Sequence, residues 1–352
     1  MSGLDDIASR VRDQISDSLE TTRLPQVLLR GTGAVALVIL VSVGALGIYW
    51  DDEPALFDVT EVTRSLTEAH GTSRVTGSAT VATMISLTDV LLHKRGGYLT
   101  NDVIPPSIMM DNVPNWEFGV LVQIRDMART LRNNLSRSQS QSTENIHLVE
   151  AENQFYFDND SWIIPETEDE YAKGIEALES YLTALGTPNQ QSDQFYARAD
   201  NLRIWLSEVE TRLGSLSQRL SASVGKRQLD TSLAGDTGAT QSTAAAPEQK
   251  VKTPWTELDD VFYEARGTTW ALIHLLRAVE VDFREVLIKK NALVSLQQII
   301  RELEPTQETL WSPLILNGDG FGMLANHSLV MGSHISRANA AIIDLRRLLE
   351  DG

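Results

Sequence analysis

Six histidines, His70, His93, His147, His274, His327 and His334, are the only imidazoles in the chain, and there is no cysteine. Thiolate metal sites, cysteine nucleophiles and disulfides are therefore excluded. No HExxH occurs. Glu144 and His147 form one ExxH step, but a di-iron bundle needs two such steps and two further carboxylates. His327 and His334 lie seven apart, about 10.5 Å along a helix, too far to share one ion. Asp158-Asn159-Asp160 resembles the opening of a calcium loop. Ile163 and Asp169 stand where the glycine and the closing glutamate of such a loop belong, so the segment reads as a turn. Asn317 to Gly322 (NGDGFG) is glycine-rich but lacks the lysine of a phosphate loop, which leaves a turn or, less favoured, an anion site at a helix start. No serine sits in GxSxG. Glu264, Arg266, His274, Glu280 and Asp282 share one long helical stretch. Glu264 and Asp282 fall on one side of it, which a solvated face explains equally well. From these residues no catalytic, cofactor-binding or metal-binding residue is assigned, and no cofactor is expected.

The element that positions everything else is an uncharged stretch bounded by Gly31 and Trp50 (residues 31–50, GTGAVALVILVSVGALGIYW). A helix of this length spans roughly 30 Å, the thickness of a bilayer's hydrocarbon core. Tyr49 and Trp50 stand at its exit edge, where amphipathic rings sit at headgroup level. A buried core helix and a cleavable signal peptide are the rivals. The stretch is long for the first, and about thirty residues precede it, too many for the second. Arg23 and Arg30 come just before, whereas Asp51, Asp52, Glu53, Asp58 and Glu61 follow before any cation. Basic residues stay on the cytoplasmic side, so the reading is a single-pass span with residues 1–29 inside and the body outside, in a bacterium the periplasm. The lipid bilayer is thus an expected partner.

The net charge is −18. Residues 1–50 hold four Arg against four Asp and one Glu, so the body carries −17. Such a body neutralises phosphates poorly, which excludes nucleic acid as a partner and argues against lying flat on anionic lipid.

Hydrophobic periodicity predicts a mainly α protein: one N-terminal transmembrane helix, then an elongated helical bundle of about six helices, with room for one small β-hairpin. Residues 1–29 form the tail, with an amphipathic stripe Leu4, Ile7, Val11, Ile15 and Leu19. Residues 51–224 form a helical region. In it Val81, Met84, Thr88 and Leu91 line one helix, ended by Lys94 to Gly97. The loop GGYLTNDVIPPSIMMDNVPN follows, with Pro105, Pro106 and Pro114 blocking helix and Asn115 able to cap the next one. Residues 137–144 (RSQSQSTE) read as an exposed loop, and residues 153–164 (NQFYFDNDSWII) as the hairpin. Thr167 with three acids behind it starts a helix that stops at Gly186. Phe195, Ala199, Leu202, Leu206, Val209, Leu213, Leu216 and Leu220 form a heptad seam, as do Leu324, Ser328, Met331, Ile335, Ala338, Ile342, Leu345 and Leu349. Packing inside the bundle is preferred to packing on another chain, and oligomeric state stays open. Residues 225–252 lose large apolar side chains and read as a disordered linker. Residues 253–352 resume the helices and pack with 51–224 as one bundle. Their first helix keeps phase to Pro305, about 45 residues, with Gly267 a place to bend. The tryptophans after the span read as core.

EPALFDV, GGYLTNDVIPPS, DNVPNWEFGVLVQIRD, FYARADNLRIWL, DDVFYEARGTTWAL and LWSPLILNGDGFGMLANHSLVMGSHISRANAAIIDLR resemble a family of proteobacterial single-span membrane proteins, catalogued as a domain of unknown function. The resemblance implies a Gram-negative inner-membrane protein and carries over no activity and no catalytic residue. Three functions are weighed. The first is a membrane-anchored scaffold or adaptor with envelope protein partners. The second is a periplasmic ligand-binding sensor, which needs an apolar pocket with a few convergent polar groups. The third is an envelope hydrolase, to be sought near NDVIPPS and NGDGFG. The absence of an assembled catalytic motif favours the first.

Overall fold

In the computed structural model, which describes residues 30–137, 144–187, 194–229, 248–312, 314–318 and 323–351, both heptad seams are helices and they face each other. Helix α7 (Ala199–Ser221) and helix α11 (His327–Asp351) run antiparallel. Arg203 pairs with Glu350, Arg346 with Glu210, and Leu220 approaches Gly332. Leu202, Leu206, Val209, Leu213, Leu216 and Leu220 are buried against Met331, Ile335, Ala338, Ile342, Leu345 and Leu349. The seams therefore close within one chain. Phe195 precedes α7 rather than joining it, and its ring meets Phe283 at 5.7 Å; Leu324 likewise precedes α11 and is exposed, so it is not part of the second seam.

The remaining elements are α1 (Arg30–Trp50), α2 (Val59–Ala69), α3 (Ser78–His93), α4 (Asn112–Thr130), α5 (Ile146–Phe155), α6 (Thr167–Leu185), β1 (Lys226–Leu229), β2 (Glu248–Val251), α8 (Leu258–Asp282), α9 (Arg284–Lys289) and α10 (Leu293–Leu303). Helix α1 has a mean hydropathy of 2.2 over its most apolar window, none of which is buried. It is the one helix among the described residues long and apolar enough to cross a membrane. The tail, residues 1–29, lies outside the described residues.

Helix α8 is the axis of the body. It packs against α2, α3, α4, α7, α10 and α11, and from Ala265 to Leu276 every residue is buried. A helix apolar on all sides is a core helix. Its closest neighbour is α4, and the crossing is made by backbone. A Cβ on Gly267 would lie 1.9 Å from the Trp116 carbonyl oxygen, and one on Gly119 would lie 2.2 Å from that of Glu264. Gly267 is therefore a contact point in an unbroken helix, not a bend.

Several expectations are corrected. Residues 153–164 are not a hairpin: Asn145 accepts the His147 and Leu148 amides at 3.0 and 3.2 Å and starts α5, which runs to Phe155. The hairpin reading failed because FYF has strand-like composition while its register belongs to a helix, with Leu148, Ala151 and Phe155 on the buried face. Strand pairing occurs instead at the two ends of the expected linker, β1 against β2 antiparallel; residues 230–247 lie outside the described residues. Pro114 does not block helix. It sits in the first turn of α4, where a missing amide costs nothing. Asn115 is likewise inside α4 and bonds Asp260 at 2.8 Å. The long helix of residues 253–305 is three helices. Asp282 turns its side chain away to α3, and α9 ends in a left-handed Asn291 (φ 53°), with the Ala292 amide closing on the Leu287 carbonyl at 2.8 Å. About six helices after the span were expected, whereas ten α-helices follow α1 among the described residues.

Candidate functional site

The polar residues that α8 carries into the core have to find partners there, because an unpaired buried polar group costs about 1–3 kcal/mol. Those partners include the segment just after α1 and the turn after α10. Arg266, 5% exposed, donates to both Glu53 carboxylate oxygens at 2.8 Å and to the Thr306 and Glu308 carbonyls at 2.9 and 3.0 Å. One guanidinium thus ties the chain after α1 to the turn after α10. Two turns along, His274 accepts the Phe57 amide at Nε2 (3.0 Å) and donates from Nδ1 to the Trp270 carbonyl (2.7 Å). An amide can only donate and a carbonyl can only accept, so this pair of bonds fixes the neutral tautomer. Burial, with Arg277 adding repulsion, pushes the imidazole down to about 3 against the opposing pull of the Trp270 carbonyl. The Phe57 ring stacks on His274 at 3.8 Å and meets Trp270 edge-on at 5.9 Å. At the end of α8, Asp282 accepts the Gly77 and Thr80 amides at 2.8 and 2.7 Å and the Thr80 hydroxyl at 2.7 Å. It caps α3, whose own N-cap is a glycine at φ 99°. Burial raises the Asp282 carboxyl despite those bonds.

The last turn of α1 is seated on the body. The Trp50 ring covers Gly96, where a Cβ would lie 2.8 Å from the ring. The Arg95 guanidinium lies 5.2 Å from the Tyr49 ring centroid and pairs with Asp52. A Cβ on Gly47 would touch Pro106 at 3.6 Å. The turn that receives them, residues 94–102, is itself pinned by a fully buried carboxylate. Glu117 accepts the Leu99 and Thr100 amides, both at 2.9 Å, and pairs with buried Lys94. Burial raises the Glu117 carboxyl, outweighing Lys94 and the hydrogen bonds. Tyr98 and Asn101 extend the network to the Asn159 and Ser161 carbonyls, each at 2.9 Å.

Between the segment after α1, α8 and the 307–312 turn lies an open cleft of about 610 Å³, lined by Asp51, Glu53, Tyr263, Arg266, Trp270 and Trp311 among others. Asp51 is raised by burial and by the neighbouring Glu53, Asp111 and Asp52. The only cation at the cleft, among the described residues, is Arg266, already held by Glu53.

The residues singled out from sequence do not converge. Glu264 pairs with Arg219 on α7 at 2.6 Å, whereas Asp282 caps α3, so the two carboxylates serve different neighbours and a solvated face does not describe Asp282. Glu144 pairs with Arg132 at 3.0 Å. His327 accepts the Leu316 amide at 3.0 Å, and His334 is half-buried beside Arg337. Asp158 and Asn159 offer their carbonyls to Thr167 and Tyr98, as a structural turn. Asn326 caps α11 through Leu329 and bonds the Asn317 side chain at 2.8 Å; residues 319–322 of the glycine-rich loop lie outside the described residues. Among the described residues no three carboxylates or imidazoles are grouped to hold a metal ion. Trp116, Trp205 and Trp270 are core, but Trp162, Trp255 and Trp311 are exposed, contrary to the expectation for all of them.

Glu53, Phe57, Arg266, His274 and the Lys94–Glu117 pair were not singled out from the sequence as a group. The available signal was the run from Ala265 to Leu276, RGTTWALIHLL after its alanine, where Arg266 is the sole charge. That composition marks a helix buried on all faces, whose polar members must be tied.

No curated protein and no solved structure matches the chain. The family model described as an uncharacterised protein conserved in bacteria (DUF2333) matches residues 23–352, and the chain belongs to that family.

Proposed function

We propose that the protein is a membrane-anchored scaffold or adaptor of the bacterial envelope. In this reading α1 crosses the inner membrane with residues 1–29 in the cytoplasm, and the acidic helical body stands in the periplasm and recruits other envelope proteins. The observation that carries it is the fastening of the segment after α1 to the core axis, Glu53 to Arg266 and Phe57 to His274. A join fastened at two points favours a docking surface held at one height and orientation over the membrane, which is the demand a scaffold makes. The seating of Trp50 on Gly96 favours a retained span over a cleaved leader, because cleavage would remove the ring that covers that glycine. The charge step from Arg30 to Asp51, Asp52 and Glu53 supports the orientation. The open cleft has three carboxylates on its wall, unlike the apolar pocket that a ligand sensor requires.

Cross-linking in intact cells followed by mass spectrometry tests the role: envelope proteins recovered on residues 51–352 support it, and recovery of an uncross-linked monomer speaks against it. The chain lacks cysteine, so Ser16→Cys and Thr211→Cys report topology without background. A membrane-impermeant maleimide should label Thr211→Cys in cells with a permeabilised outer membrane, and Ser16→Cys only after lysis. The reverse pattern overturns the orientation.

A further inference from the structure

The seat of α1 on the body also fixes which face of the body looks back along α1. A Cβ on Gly47 would lie 3.6 Å from Pro106, so the two positions are adjacent, and Gly47 lies three residues before Trp50, about 4.5 Å back along the helix. The loop carrying Pro106 therefore reaches past the level of the Tyr49–Trp50 rings, toward the apolar part of α1. At its tip Ile104, Ile108 and Met109 are 72%, 63% and 76% exposed. Two further segments border the same exit. The turn holding Trp162 and Ile164 is bonded to residues 98–101 through Tyr98 and Asn101, and Ile164 is 92% exposed. Trp311, 93% exposed, lines the cleft together with Asp51 and Asp52, the first residues after α1. Large apolar side chains left this bare are ordinary one at a time, but six on three segments around one helix end form a patch. Tryptophan beside aliphatic residues is the composition of the membrane–water interface.

We propose that this face of the body, Ile104, Ile108, Met109, Trp162, Ile164 and Trp311, is set into the headgroup–acyl boundary of the leaflet that α1 leaves. The proposal rests on α1 being a span. The contact is apolar, so it does not conflict with an acidic body that anionic lipid would repel. The body is then held by its own foot as well as by the helix, and the mouth of the cleft opens at the lipid surface.

The test uses the full chain in nanodiscs of phosphatidylcholine, part of it carrying a nitroxide quencher near the top of its acyl chains. Single cysteines at Ile108, Ile164, Leu40 and Thr211 are labelled with an environment-sensitive fluorophore, and circular dichroism checks that each labelled chain keeps its helical signal. Leu40 sits in the middle of α1, and Thr211 is exposed on α7 next to Arg212, which bonds Asp126 far along α4. The expected result is a blue shift and loss of most emission at Ile108 and Ile164, a blue-shifted Leu40 signal, and a red, unquenched Thr211 signal. A blue-shifted Leu40 with Ile108 and Ile164 red and unquenched overturns the interfacial face and leaves the span intact. A red-emitting Leu40 overturns the span, and with it the ground for this proposal.

Discussion

His274 makes the join between α1 and the body sensitive to pH. Its folded form is neutral, with the imidazole pushed from 6.5 down to about 3. Above pH 6.5 the folded and unfolded chains both hold it neutral and it contributes no pH dependence. As pH falls below 6.5 the unfolded chain takes up a proton that the folded chain refuses, so stability is lost progressively until about pH 3. At pH 5 the difference of about 1.5 units between pH and the unfolded value corresponds to roughly 2 kcal/mol, and the full shift to roughly 5 kcal/mol. The perturbation is His274→Gln, which keeps an acceptor for the Phe57 amide and removes the titration. Urea unfolding of the detergent-solubilised chain at pH 7.5 and pH 5, read by tryptophan fluorescence, measures both proteins. The variant should be less stable at pH 7.5 by about 1 kcal/mol, the worth of a hydrogen bond. It should then lose about 2 kcal/mol less than the parent on going to pH 5. The other five histidines and all carboxylates are common to both proteins and cancel in the difference. Equal pH dependence in the two proteins would refute the reasoning, as would an imidazole NMR signal showing His274 protonated at pH 5 in the folded chain.

Other outcomes follow from the same geometry. Gly267→Ala places a methyl 1.9 Å from a backbone oxygen that cannot step aside, and should cost about 3 kcal/mol or more in chemical unfolding, whereas Gly44→Ala, with nothing within 4 Å, should leave stability unchanged. Lys94→Met leaves Glu117 buried without its cation and should cost about 3–5 kcal/mol, with a smaller loss at pH values low enough to protonate that raised carboxyl. Arg266→Met releases Glu53 and the Thr306 and Glu308 carbonyls, and should open residues 51–57 to limited proteolysis while α7 and α11 stay protected. Equal protection of residues 51–57 in that variant would show that Arg266 is not their fastening.

Periodicity carried the parts of the fold that are amphipathic. The α7 and α11 seams and the start of α6 at Thr167 were legible because one face of each is wet and the other dry. Where burial is complete, the alternation disappears. Helix α8 was readable as long and helical, yet the pattern could not mark Arg266 and His274 as anchors, because every face of that stretch is core. Short elements fared worst: α2 and α5 are 11 and 10 residues, and FYF in α5 and its following turn imitates a strand. The site was illegible for a further reason. Glu53 and Phe57 meet partners more than 200 positions away, and nothing local in EPALFDV announces Arg266 or His274.

The crossing of α4 and α8 sets a limit on how this family can vary. Where side chains make a contact, drift is cheap, since a larger residue on one helix can be matched by a smaller one on the other. At Gly119 and Gly267 the contact is backbone on backbone, and neither helix holds any volume to trade. The pair can change only by moving the helices apart, which would shift Arg266 and His274 relative to Glu53 and Phe57 at the same time. Homologues that keep the fastening after α1 are therefore bound to keep both glycines, and a homologue that has lost either should join its N-terminal helix to the body by other means.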